Sequence, residues 1–382
     1  MFQVPEIDLQ TTDGEIAVIN LESTRRRSWS RFYQDPTRDG VAETVVEHEQ
    51  LALQFVGDVT ALDRVESLAE HLAEMDPDSA RTALIRAQVA SMAHHFPDAR
   101  HYLAKAKIGG APTGDADRLR LAIDQACGTD LHKVLDARRR VAVETQELEG
   151  FVALGSLLAD LCDFAAADQA YKQALQVYRD VSPFPVAWAC FQLGVLWGEL
   201  VPEPNTTSAA QWYQRAIERL PAYTKARVHL AEIRSAEGEL SDAEALLRPI
   251  IASGDPEVRW RLADVLTAQR KFDEAEGQMQ AARSGFEFLL GRHLLAFADH
   301  GAEFFAGSGN DPRRALDLAR VNVANRPTLR ALEHAHDIAI SADDMAAALE
   351  LLSEAVRRWG HTSAFTLSQL QRHRSKNREG AA

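Results

Sequence analysis

The chain has 382 residues, 46% hydrophobic and 26% charged, with only 21 glycines and 14 prolines, and its abundant Ala, Leu, Glu and Arg favour an all-α fold. A net charge of −14 repels polyanions and excludes general nucleic-acid binding. The cysteines Cys127, Cys162 and Cys190 form no C-x-x-C pair, which excludes a disulfide framework and a zinc ribbon and fits a reducing compartment.

At the N-terminus, MFQVPEIDLQ places acids and a proline where a signal peptide needs a basic start and an apolar run. No stretch reaches the length of a membrane span, so the expected location is the cytoplasm, with no membrane partner. Residues 1–41 read as an arm: TTDGEIAVIN is a turn signal followed by a short apolar run, which predicts irregular backbone with short strand character. The arm is too apolar for a solvated tail, carrying Phe2, Ile7, Val18, Ile19, Trp29, Phe32 and Tyr33, and is expected to bind back on the array or on a partner. The clusters Arg25-Arg26-Arg27 and Arg138-Arg139-Arg140 lack interleaved aromatics and read as solvated faces.

From 42 to 147 the pattern is of degenerate helical hairpins. Ala87 and Ala99 stand twelve residues apart and are followed by Leu103 and Ala106, whereas the stretch from Asp115 to Gln146 has hairpin length with little signature. From 148 to 284 the repeat is plain. Gly155 is followed by Ala167, Tyr171 and Ala174, Ala231 by Ala243, and Ala263 by Ala275, Met279 and Ala282. One small residue in each of two helices lets the backbones approach closely, while large residues four and seven positions on fill the groove toward the next hairpin.

These segments resemble tetratricopeptide repeats of the bacterial type, whose helix-turn-helix unit recurs about every 34 residues. Leu193, Gly194 and Trp197 match the first helix of that pattern, and Ala209, Tyr213, Ala216 and Pro221 the second, with PEPNTTS lengthening the turn between them. The resemblance implies a right-handed α-solenoid of roughly nine hairpins, covering residues from about 42 to 358. Residues 285–374 carry C-terminal hairpins and a capping helix, and 375–382 a disordered tail.

Members of that family take up partners along the inner groove lined by the first helices. Carried over, this implies Trp188, Phe191, Val195 and Glu199 in one repeat, Lys225, Val228 and Glu232 in the next, and Glu257, Trp260 and Asp264 in a third. Such a set reads as an apolar anchor rimmed by charge. The alternative is that Trp188 and Trp260 are packed between repeats. Val152, Ser156, Phe191 and Glu199 stand where a carboxylate clamp would need Lys, Asn and Arg, so the acidic face is expected to meet a basic or amphipathic protein segment.

The stretch HLLAFADHGAEFFAGSG, from His293 to Gly309, reads as one first helix whose Leu290, His293, Phe297, His300 and Phe304 form a packed stripe. His300 and Glu303 have a spacing a metal could use, but two candidates do not make a site. His94-His95 and His334-x-His336 are expected to lie exposed. Hydrolase, kinase and dinucleotide motifs are missing, so no cofactor, no metal and no enzymatic activity are expected. The expected function is a non-catalytic interaction scaffold or adaptor. The alternatives are a ligand- or peptide-responsive regulatory solenoid and, further off, a metal-dependent enzyme or accessory subunit using the His293–Glu303 region.

Overall fold

The computed structural model describes residues 9–368 and 370–371. Phe2, Ile7 and the 375–382 tail lie outside them. Among the described residues there is no strand. The helices are α1 (Gly14–Gln34), α2 (Val41–Leu51), α3 (Ala61–Met75), α4 (Ala80–Met92), α5 (Phe96–Ile108), α6 (Thr113–Ala126) and α7 (Leu131–Thr145). The series continues with α8 (Leu148–Asp160), α9 (Phe164–Val177), α10 (Pro183–Val195), α11 (Thr206–Arg219), α12 (Thr224–Ala236), α13 (Leu240–Leu247) and α14 (Pro256–Ala268). It ends with α15 (Phe272–Arg292), α16 (Leu294–Ala306), α17 (Pro312–Asn325), α18 (Leu329–Ser341), α19 (Met345–Trp359) and α20 (Ser363–Leu367).

From α2 to α19 these helices pair into consecutive hairpins, and in α8–α9 and α10–α11 the contact that lets the hairpin close is the small-against-large one the spacing implies. A Cβ on Gly155 of α8 would lie 2.8 Å from the Tyr171 ring of α9, and one on Gly194 of α10 would overlap the Tyr213 ring of α11. Both positions therefore require glycine. Tyr171 and Tyr213 are fully buried there.

The turns inside the hairpins share a second device. His94, Gly128, Cys162, Gly238, Arg270, Asn310 and Asp343 all have positive φ and sit just before a second helix. The first three are spaced by the tetratricopeptide period. Asp163, Asp311 and Asp344 then cap those helices, accepting from the backbone N–H of Ala166, Arg314 and Ala347. In the longer turn after α10, a wide π-helical turn over Leu196–Leu200 leads into Asn205, which caps α11 through Ser208 N–H. The molecule is a helical-repeat solenoid of tetratricopeptide type.

Residues 14–34 correct the expectation of an irregular arm. Asp13 accepts from the N–H of Glu15 and Ile16 and starts a 21-residue helix that buries Ala17, Leu21, Ser28 and Phe32. The apolar run that suggested a strand is split by the helix, with Ile16 and Ile19 left exposed.

Helix α1 does not stand off. Thr12 N–H donates to Val181 O at 2.7 Å, and the start of α1 passes so close to Arg219 that a side chain at Gly14 would overlap its carbonyl. Phe55, in a π-helical turn after α2, packs on Phe184 at 5.1 Å and Tyr223 at 4.9 Å. Further along, Arg292 Nε donates to Asp63 at 2.8 Å, His94 Nδ1 donates to Leu295 O at 3.1 Å, and Asn325 donates to His94 O at 3.0 Å. The superhelix thus closes, its first hairpins lying against those that follow about 200 residues later.

Candidate functional site

First helices of successive hairpins pack side by side, α12 on α14 and α16 on α18, so their inward side chains share one face. On it the chain gathers charge. Glu199, in the π-helical turn after α10, accepts from His229 Nδ1 of α12 at 2.8 Å, from Tyr213 Oη at 3.1 Å and from Arg330 of α18 at 3.1 Å. Arg261 of α14 reaches Glu232 at 2.6 Å, Glu303 of α16 at 2.8 Å and Glu257 at 3.4 Å. The Arg261 guanidinium also lies 3.6 Å from the centre of the Trp260 ring.

These groups shift one another. Burial alone would raise Glu199, but the hydrogen bond and charge of His229, with Arg330 and Tyr213, bring it down to about 2. Burial likewise opposes the charged form of His229, yet Glu199, Glu232 and Glu257 hold the imidazole up at about 9. Glu232 goes the other way: burial raises it to about 7, and the downward pull of Arg261 and His229, itself opposed by Glu257 and Glu303, does not cancel that burial. Glu257, buried, is lowered on balance by His300 and Arg261. The face can therefore hold cations. His229 is already protonated at neutral pH.

Of the residues expected in the groove, Glu199, Glu232 and Glu257 meet in this cluster. Lys225 is half-buried and acts electrostatically on Asp255 and Glu257. Asp264 accepts from Ser308 Oγ at 2.7 Å, and burial raises its pKa. The apolar members do not present themselves as anchors. Phe191, Val195 and Val228 are core residues, and Trp260 is buried between Phe286 and Phe304 at ring distances of 6.2 and 5.4 Å. Trp188 is half-buried against the largest core cluster. The reason is the closeness of successive hairpins: large side chains at these positions fill the space between first helices instead of lining it. His229, Arg261 and Arg330 were missed by sequence reasoning, and Glu303 was weighed there only beside His300 as a metal ligand; the i, i+3 pair of His229 with Glu232 was the one local signal.

The stretch beginning at His293 is not one uninterrupted helix. His293 caps α16 with φ −132° and ψ 54°, at the bend from α15, and only 2% of it is exposed. His300 faces Glu257 at 3.8 Å on the inner face, while His293 meets Asp63 and Glu66 of α3. Phe304 and Phe305 are fully buried. His336 is also buried, and His94 is half-buried and, mainly through burial and then Arg326, lowered to about 4, which corrects the expectation that these histidines are exposed.

No protein-family model matches the chain, and no curated protein does. Among solved structures it is similar to MamA (20% identity, covering 46% of this chain and 95% of that one, TM-score 0.37) and to the hetero-tetramer of the APC/C subunits Cut9 and Hcn1 (13%, 91% and 66%, TM-score 0.45). It is also similar to the C-terminal part of a TPR repeat-containing protein from Cytophaga hutchinsonii (10%, 62% and 93%, TM-score 0.33). These likenesses stand beside the hairpin geometry and add no argument to it. Among the described residues no helix is long and apolar enough to cross a membrane.

Proposed function

We propose that this tetratricopeptide-type solenoid is a non-catalytic scaffold that takes an arginine- or lysine-bearing segment of another protein onto its acidic inner face. One observation carries the reading. Arg330, itself 61% exposed, reaches from α18 to Glu199 and occupies a cationic seat built from an acid, an imidazolium and a tyrosine hydroxyl. A partner's guanidinium would take the same seat, with Glu232 and Glu303 beside it. Recognition here is by charge and hydrogen bonding, not by a tryptophan pocket.

The test is fluorescence anisotropy with a labelled peptide of alternating arginine and leucine, followed by the same variants on any partner that co-purifies with the chain. Glu199→Gln and Glu303→Gln should each weaken binding and flatten its salt dependence, and Arg330→Ala should strengthen it by vacating the seat. Asp273→Lys, on the exposed start of α15, should change little. Equal binding by all four variants would reject the inner face as the docking surface.

A further inference from the structure

We propose that Arg330 is an autoinhibitory plug, held in the Glu199 seat by the seam where early hairpins lie against late ones, so that a partner's cation enters as that seam loosens at the α17–α18 connection. The inference rests on the docking reading above and adds its regulation.

The seat is fixed and the plug is not. Glu199 is held from its own side, accepting from His229 Nδ1 at 2.8 Å and from Tyr213 Oη at 3.1 Å, and Tyr213 is fully buried. Arg330 arrives from 131 residues further on, as the second residue of α18, and stays 61% exposed while it reaches Glu199 at 3.1 Å. An ion pair with so exposed a member is weak, so a second guanidinium can displace it.

What aims Arg330 is the backbone just before it. Asn325, at the end of α17, donates its side-chain amide to His94 O at 3.0 Å, and Arg326 pairs with Asp299 at 3.5 Å. Pro327 O accepts from Trp359 Nε1 at 3.1 Å. Gly128 lies against both of these residues, since a Cβ there would stand 3.3 Å from the Trp359 ring and 3.6 Å from Pro327 O. His94 and Gly128 are the left-handed residues of the α4–α5 and α6–α7 turns. Two turns of early hairpins therefore grip the connection that leads straight to Arg330. The same arrangement recurs nearer the N-terminus, where Gly57, in the turn before α3, faces Thr224 at the start of α12 and Ser253 before α14. At α17–α18 it also carries the plug. Linkage then works both ways: if the seam favours the plugged seat, a partner that empties the seat of Arg330 must weaken the seam by the same factor.

The experiment uses the full chain, with the labelled arginine–leucine peptide read by anisotropy. Backbone hydrogen exchange is read at His95 and Thr328, whose N–H groups donate to Ala90 O and Arg326 O. Asn325→Ala leaves the seat intact and should tighten peptide binding about fivefold or more, and in an Arg330→Ala background it should add nothing further. Arg330→Ala with no peptide present should speed exchange at both amides, and so should peptide bound to the unaltered chain. Arg248→Ala, which breaks an exposed pair with Glu274, should leave both readouts unchanged. Binding that needs Glu199 but ignores Asn325→Ala, with exchange unmoved, overturns the coupling alone: Arg330 then swings aside by itself and the docking reading stands. No peptide binding by either the unaltered chain or Arg330→Ala overturns both.

Discussion

The first hairpin and the central ones solve the same packing problem with different materials. In α8–α11 the helices meet through glycine against tyrosine, with Gly155 under Tyr171 and Gly194 under Tyr213. Around α1–α3 the centre is instead a charge. Glu49 is fully buried and accepts from Trp29 Nε1 at 2.6 Å and Arg64 Nε at 3.0 Å, with Arg25 at 3.6 Å. Beside it Asp58, which burial would raise, is brought down to about 2 by Thr60, Arg25 and Arg64. A Gly–Tyr contact tolerates any partner of the right shape, whereas a buried carboxylate tolerates only its cations. The two regions should therefore fail differently.

The largest effect is expected at Glu49. Glu49→Ala leaves Trp29 Nε1 without its acceptor and Arg64 with Asp58 and Thr60 alone, and should lower stability by about 3 kcal/mol, read from urea unfolding of the full chain. Next comes Gly194→Ala, which forces a methyl into the Tyr213 ring and should cost about 1–3 kcal/mol. The comparison sharpens if salt is added: 1 M NaCl should narrow neither loss much, because both sites are buried. If Gly194→Ala unfolds the chain while Glu49→Ala is mild, the ranking of the two solutions is reversed.

A smaller effect concerns pH. His229 holds its proton up to about 9 in the folded chain, against 6.5 without its partners. The stabilisation is complete below 6.5 and is lost as pH rises through 9. Glu232 adds a loss in the same direction between 4.5 and about 7. Melting temperature should accordingly fall from pH 6.5 to 9, and His229→Gln should remove most of that slope. The smallest change is Arg270→Gly, which relieves a left-handed backbone at φ 64° and should raise stability by no more than about 1 kcal/mol. A loss of stability there would show that Arg270 contributes a contact that outweighs its backbone.

The same contrast explains what could be read from the amino acids. Small-against-large packing leaves a periodic signature, and Gly155, Tyr171, Gly194, Tyr213, Ala231 and Ala243 carried the repeat into view. Buried charge leaves none, because Glu49 and Arg64 have the composition of a solvated face. The turns were hidden for a related reason: five of the seven left-handed positions inside the hairpins are occupied by His94, Cys162, Arg270, Asn310 and Asp343, which announce a turn less plainly than Gly128 and Gly238 do. At the inner face the acids Glu199, Glu232 and Glu257 were accessible to a repeat-based register. Arg330 was not, since its partner lies 131 residues away and only the curvature of the solenoid joins them. The same curvature put His293 against α3 rather than beside His300.

That curvature also has a temporal side. Phe55 meets Tyr223 in the finished molecule, but during synthesis about 170 residues separate their appearance. At common elongation rates Phe55 waits on the order of ten to thirty seconds for the surface that covers it. The hairpins from α4 to α9 can each close as they emerge, so the nascent protein is a folded string with an unburied aromatic near its leading end. A holding chaperone, or a slow codon run before α12, would act on that interval, and a chain cut short before Phe184 would be released with Phe55 uncovered.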